Sequence, residues 1–181
     1  MSCPSRFAFV LAIAAALAEP ACAQDFGRPA RPDEINLWNI DVRPDGAGLP
    51  KGHGTVAQGR SLFEDNCLAC HGEKGVGGIA DRLSGGRGTL TSDHPLKTIG
   101  SFWPYATTLF DYVRRAMPYT APGTLSDDDT YSLVAYLLSL NGVVPANATL
   151  DRASLLAIKM PNRDGFVPDE AFVNSRNYRQ P

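Results

Sequence analysis

Apolar and polar positions alternate along this chain in distinct ways, and each pattern predicts a different element. Phe7 to Ala18, "FAFVLAIAAALA", is an unbroken apolar run behind Arg6. It is too short to span a bilayer as a helix. Residues 24–54 show few periodic apolar positions and read as an extended arm, anchored at Ile35, Leu37, Trp38 and Ile40. At Thr55 the pattern becomes helical. Thr55 and Gln58 suit a capping box, and Val56, Gly59 and Phe63 share the face of a helix that runs into Cys67. Residues 72–104 are glycine-rich loop, with backbone expected to lie close against something bulky. Ala106, Phe110, Val113 and Met117 then form one helical stripe that Pro118 stops. Ser126 is the N-cap of the clearest helix. Asp127, Asp128 and Asp129 favour its positive end, Leu133, Val134, Leu137 and Leu138 form its core face, and Asn141-Gly142 ends it. From Val143 the chain is Pro/Asn/Arg-rich, with a helical turn or two expected near Ala153–Ile158.

These elements predict a mainly α protein. A helical domain over 55–142 is flanked by the extended arm 24–54 and a loop-rich C-terminal extension, 143–181. Residues 1–23 read as an export signal: "ACA", Ala21 to Ala23, is a small-x-small cleavage site, giving a mature start at Gln24. An uncleaved anchor or a buried helix is the competing reading. Pro20 and the polar sequence after it argue against both. Glu19 and Pro20 also fit poorly with lipid modification at Cys22.

Composition narrows the function classes. The net charge of −2, with no long run of one sign, argues against nucleic acid or an anionic membrane surface as partner. The 17 glycines and 14 prolines predict a loop-rich domain. Signal removal takes Cys3 and Cys22 and leaves Cys67 and Cys70, so no disulfide framework is expected. No membrane span is expected after cleavage.

The remaining cysteines lie in "NCLACHG", Asn66 to Gly72. Cys-x-x-Cys-His is the pattern of c-type haem attachment: both sulfurs form thioethers and the histidine is placed to ligate iron. Zinc would need two further ligands from a chain whose histidines are His53, His71 and His94. A redox disulfide of the thioredoxin kind wants a βαβ setting that the pattern lacks. For a haem, Met117 is the candidate sixth ligand, projecting from the turn before Pro118; its plainer role is core packing. Met160, in the extension, reads as a packing anchor. His53 or His94 would instead give bis-histidine ligation.

Gly59, Phe63, "CLACH", the glycine-rich loop, "AMP" and "LVAYLLSLNG" together resemble the class I cytochrome c family over roughly 55–142. That resemblance implies a helical haem domain with one haem c covalently held by Cys67 and Cys70. It implies His71 and Met117 as axial iron ligands, and a crossing of the first and last helices at Gly59, Phe63 and Tyr136. The family often places a proline soon after the haem motif. None occurs here between Gly72 and Asp93, so the acceptor for the His71 ring is unmarked.

A narrower resemblance rests on "DVRPDGAGLPKGHG", "GGRGTL", "TIGSFWPYATTLFDYVRRAMP", "LVAYLLSLNG" and "MPNRDGF". These blocks are similar to the cytochrome c subunit of sulfite or sulfane dehydrogenases of sulfur oxidation. This implies a periplasmic electron-transfer subunit. It would accept electrons from a molybdenum-containing catalytic subunit and pass them to a soluble cytochrome c. The chain shows no separate catalytic cluster of its own. A freely diffusing monohaem carrier is the alternative, and a haem enzyme or gas sensor would need an open distal site. Arg87, Trp103 and Tyr105 are candidate contacts to the haem propionates, since each can donate a hydrogen bond; for the aromatics, ordinary packing fits equally. The arms, with Trp38, Phe166 and Phe172, either dock a large subunit or wrap their own domain.

Overall fold

The structure is a computed structural model that describes residues 27–167. The signal segment with its cleavage point, Cys3, Cys22 and Phe172 lie outside the described residues. The chain divides into two compact units at Trp38/Asn39.

The first unit corrects the expectation of an extended arm. It contains a helix, α1 (Pro32–Trp38). Proline suits the first helical position because its missing N–H has no intrahelical partner there, and its φ is already helical. Asp33 and Glu34 in the first turn face the positive end of the helix dipole. Its expected anchors are not buried: Ile35, Leu37 and Trp38 are 50%, 76% and 86% exposed.

In the second unit the segment before the helical domain is anchored by Val42 and Leu49, both buried, rather than by Ile40, which is exposed. Polar contacts fix this segment to two later helices, α4 (Ala106–Ala116) and α5 (Asp127–Leu140). Val42 N–H donates to Asp111 Oδ1 at 2.7 Å. Arg114 donates to the Ile40 carbonyl at 3.1 Å. The Tyr131 hydroxyl donates to the Pro50 carbonyl at 2.9 Å.

Helix α2 (Val56–Asn66) opens with the Thr55/Gln58 capping box that the sequence suggests. It crosses α5 at very short range. A Cβ on Gly59 would sit 1.8 Å from the Ser132 carbonyl oxygen, so only glycine allows this approach. Beside that contact the Phe63 and Tyr136 rings lie 5.4 Å apart in a tilted arrangement. Ser126 and Asp129 form the capping box of α5. The other two aspartates of its first turn are also structural. Asp128 accepts the His53 N–H at 2.8 Å, and Asp127 pairs with Arg114 at 3.0 Å. Phe110 of α4 packs on Tyr131 of α5 with ring centroids 4.6 Å apart, and both are fully buried.

The C-terminal extension returns to the domain. Strand β1 (His53–Thr55) pairs antiparallel with β2 (Thr149–Asp151), His53 opposite Asp151 and Thr55 opposite Thr149. A short helix, α6 (Arg152–Ala157), is capped by Asp151 and Ser154. Leu155 within it and Met160 after it are 1% exposed. Up to Met160, therefore, the extension wraps its own domain.

Candidate functional site

Helix α2 ends at Asn66, and Cys67 is both its C-cap and the N-cap of the one-turn helix α3 (Leu68–His71). The Cys67 N–H donates to the Phe63 carbonyl at 2.9 Å and the His71 N–H to the Cys67 carbonyl at 2.9 Å. The winding breaks at Cys67, whose φ is −124, and resumes for one turn over the rest of the motif. Gly72 then reverses the chain with φ +73, a conformation that disfavours any side chain. A Cβ there would also lie 2.3 Å from the Gly77 carbonyl oxygen.

The loop folds back on α3. Gly77 N–H donates to the His71 carbonyl at 2.8 Å and Ala80 N–H to the Cys70 carbonyl at 2.9 Å. This brings the Asp81 backbone carbonyl to 2.8 Å from His71 Nδ1. With the proton on Nδ1, that nitrogen donates to Asp81 and Nε2 keeps a free lone pair, the form of a metal-ligating imidazole. A main-chain acceptor ten residues on thus takes the place of the unmarked one.

Met117 follows the last turn of α4 in extended conformation, its N–H still donating to the Val113 carbonyl at 3.1 Å. Cys67, Cys70, His71 and Met117 all line one cavity of about 520 Å³. Its walls are largely apolar, with Phe63, Ile99, Leu109, Val113, Leu133 and Leu137 among them. The volume falls within the ~300–1,000 Å³ usual for cofactor sites. The two thiols, the nitrogen donor, the thioether and the apolar walls are the donor set and surroundings that a haem c requires.

The competing chemistries fit less well. Burial, followed by the neighbouring Cys70, pushes the Cys67 thiol up to about 11. A redox-active Cys-x-x-Cys shifts in the opposite direction. Among the described residues no group of three or more His, Cys, Asp or Glu side chains converges as a metal site, so zinc lacks its donors. His53 and His94 do not line the cavity. Met160 is buried in the core and does not reach it either.

The three expected propionate contacts separate. Trp103 lines the cavity, edge-on to Tyr112 with ring centroids 5.8 Å apart. Arg87 does not; it borders a separate depression with Gly88, Leu90, Thr91 and Asn162. Tyr105 is also elsewhere, its ring covered by the Arg163 guanidinium at 3.9 Å. Gly85, Gly86 and Gly88 around Arg87 all adopt positive φ, a backbone path that residue types alone do not reveal. The cavity instead holds Asp81, Arg82, Lys97, Tyr112 and Tyr119, none of which the sequence singled out.

Comparison with known proteins bears on the family and the fold. The family model for cytochrome c matches residues 56–141. Among solved structures, the sulfane dehydrogenase SoxCD from Paracoccus pantotrophus contains a similar chain. It is 43% identical with a TM-score of 0.77, over 87% of this chain and 79% of that one. A thiosulfate dehydrogenase from Psychrobacter arcticus (strain DSM 17307 / VKM B-2377 / 273-4) is 26% identical over 114 residues, 61% of this chain. The match spans about a third of that relative, 35% of its length.

Proposed function

The chain belongs to the cytochrome c family, and from that premise we propose that it is the electron-transfer subunit of a periplasmic sulfur-compound dehydrogenase. The observation that carries the haem reading is the convergence of Cys67, Cys70, His71 and Met117 on one apolar cavity. The 43% identity to a chain of a sulfane dehydrogenase supports the sulfur-oxidation setting.

Haem c supplies a one-electron iron couple when bound. Cys67 and Cys70 would hold the haem through thioether bonds. His71, its ring fixed by the Asp81 carbonyl, would offer Nε2 to the iron. Met117 would offer its thioether sulfur, and a soft sulfur ligand favours the ferrous state and raises the potential. The apolar walls exclude water from both ligands. The aspartates at the start of α5 serve the fold: they cap, pair and brace.

In this reading a molybdenum-containing partner oxidises the sulfur compound by two electrons. The chain accepts them singly and delivers them to a soluble cytochrome c. Residues 1–23 direct export and are removed.

Purification of the native protein from periplasm tests the assignment. A molybdenum-containing subunit should co-purify with it, and the mature chain should start at Gln24 with the mass of one covalently bound haem. A lone haem-bearing monomer would favour the freely diffusing carrier. A chain without covalent haem would overturn the site assignment.

A further inference from the structure

The cavity is lined by two cations, Arg82 and Lys97, that no carboxylate pairs among the described residues. The segments that carry them are bonded together. Ile99 N–H donates to the Leu83 carbonyl at 3.3 Å, and Thr98 Oγ1 donates to the Gly85 carbonyl at 2.5 Å. The two side chains therefore belong to one rim.

Lys97 is also held from behind. Its Nζ lies 5.1 Å from the centroid of the Phe102 ring, where the ring's quadrupole attracts the charge. Phe102 in turn packs edge-on against Phe166 of the C-terminal extension, with centroids 5.1 Å apart. The extension thus backs the rim.

Haem c has an apolar macrocycle and two propionates, each a carboxylate at neutral pH. A mainly apolar cavity with two unpaired cations at one rim matches that charge pattern. Accepting the haem reading above, we propose that Arg82 and Lys97 hold the haem propionates, in place of Arg87 and Tyr105. Arg82 presents a planar fork suited to a carboxylate, and Lys97 a point charge steadied by Phe102.

The other titratable groups facing the cavity are Asp81 beside Arg82, Tyr112 on α4, Tyr119 beyond it, His71, and the thiols of Cys67 and Cys70, which thioether bonds would take out of titration. Asp81 carries the one carboxylate among them, so it opposes the propionates and makes the two cations more necessary. A cation next to a carboxylate favours its ionised form. The same cation disfavours ferric iron, which carries one more positive charge than ferrous.

The test is the reduction potential of the purified haem protein, followed spectroelectrochemically across pH. Arg82→Gln and Lys97→Gln should each lower the potential at neutral pH and move the propionate-linked step in the pH profile upward. The double variant should shift further than either alone. Lys97→Arg, which keeps the charge, should retain the wild-type profile, as should Arg87→Gln. Superposition of either the Arg82→Gln or the Lys97→Gln profile on wild type would overturn the proposal. So would a comparable shift in Arg87→Gln. Absence of haem from the wild-type protein would instead count against the haem reading itself.

Discussion

His71 Nδ1 and the backbone carbonyl of Asp81 lie 2.8 Å apart, and the loop between them is folded to make that contact. The ring is thereby fixed in tautomer and direction. Gly72 is the hinge of that loop. Gly72→Ala would force φ +73 on a side-chain residue and press its Cβ toward the Gly77 carbonyl. The left-handed backbone alone costs about 1–2 kcal/mol. The variant should melt at lower temperature by circular dichroism. It should also have a higher reduction potential, because an imidazole that donates less well at Nδ1 is a weaker base at Nε2.

Met117 and Met160 separate ligand from packing. Met117→Ala should abolish the sulfur-to-iron charge-transfer band in the visible spectrum and lower the potential. Met160→Ala should keep the band and lose about 2–5 kcal/mol of stability in denaturant titration, since its side chain is fully buried. A band lost only in Met160→Ala would reverse the assignment.

Gly59→Ala should be among the most damaging single-methyl additions in the chain. The Ser132 carbonyl occupies the space, so α2 and α5 must separate. Overpacking of this kind costs about 3 kcal/mol. Denaturant unfolding should show that loss, and the yield of haem-loaded protein should fall with it.

Asp111 ties the segment before the domain to α4. Its carboxylate accepts the Val42 N–H and pairs with Arg115. Arg115 is 45% exposed, so water screens the ion pair, and most of the effect should come from the orphaned Val42 N–H. Asp111→Ala should cost about 1–3 kcal/mol. Limited proteolysis should then cut within residues 39–52 faster than in the wild type, with the haem spectrum unchanged.

The sequence and the structure meet where chemistry is written in residue types. The Thr55/Gln58 box, the Ser126 cap and the stripe ending at Met117 are each legible because side chains make them. The cytochrome c fold and its electron-transfer role follow from the same residues. Asp81 was not legible, because its contribution is a main-chain carbonyl that any residue could offer. The β1–β2 pair was hidden because three residues per strand carry no periodicity. Helix α1 was hidden because none of its residues is buried, leaving only Pro32 and two acids as signals. Arg82 and Lys97 rather than Arg87 line the cavity, and residue type does not distinguish one loop cation from another.

The most direct measurement mixes the oxidised haem protein with sulfite or a sulfane-bearing substrate in a stopped-flow spectrophotometer, with and without the co-purified molybdenum subunit. The account predicts that the haem stays oxidised when the chain is alone and is fully reduced, one electron per haem, once the partner is present. A haem that remains oxidised with partner and substrate both present would contradict it.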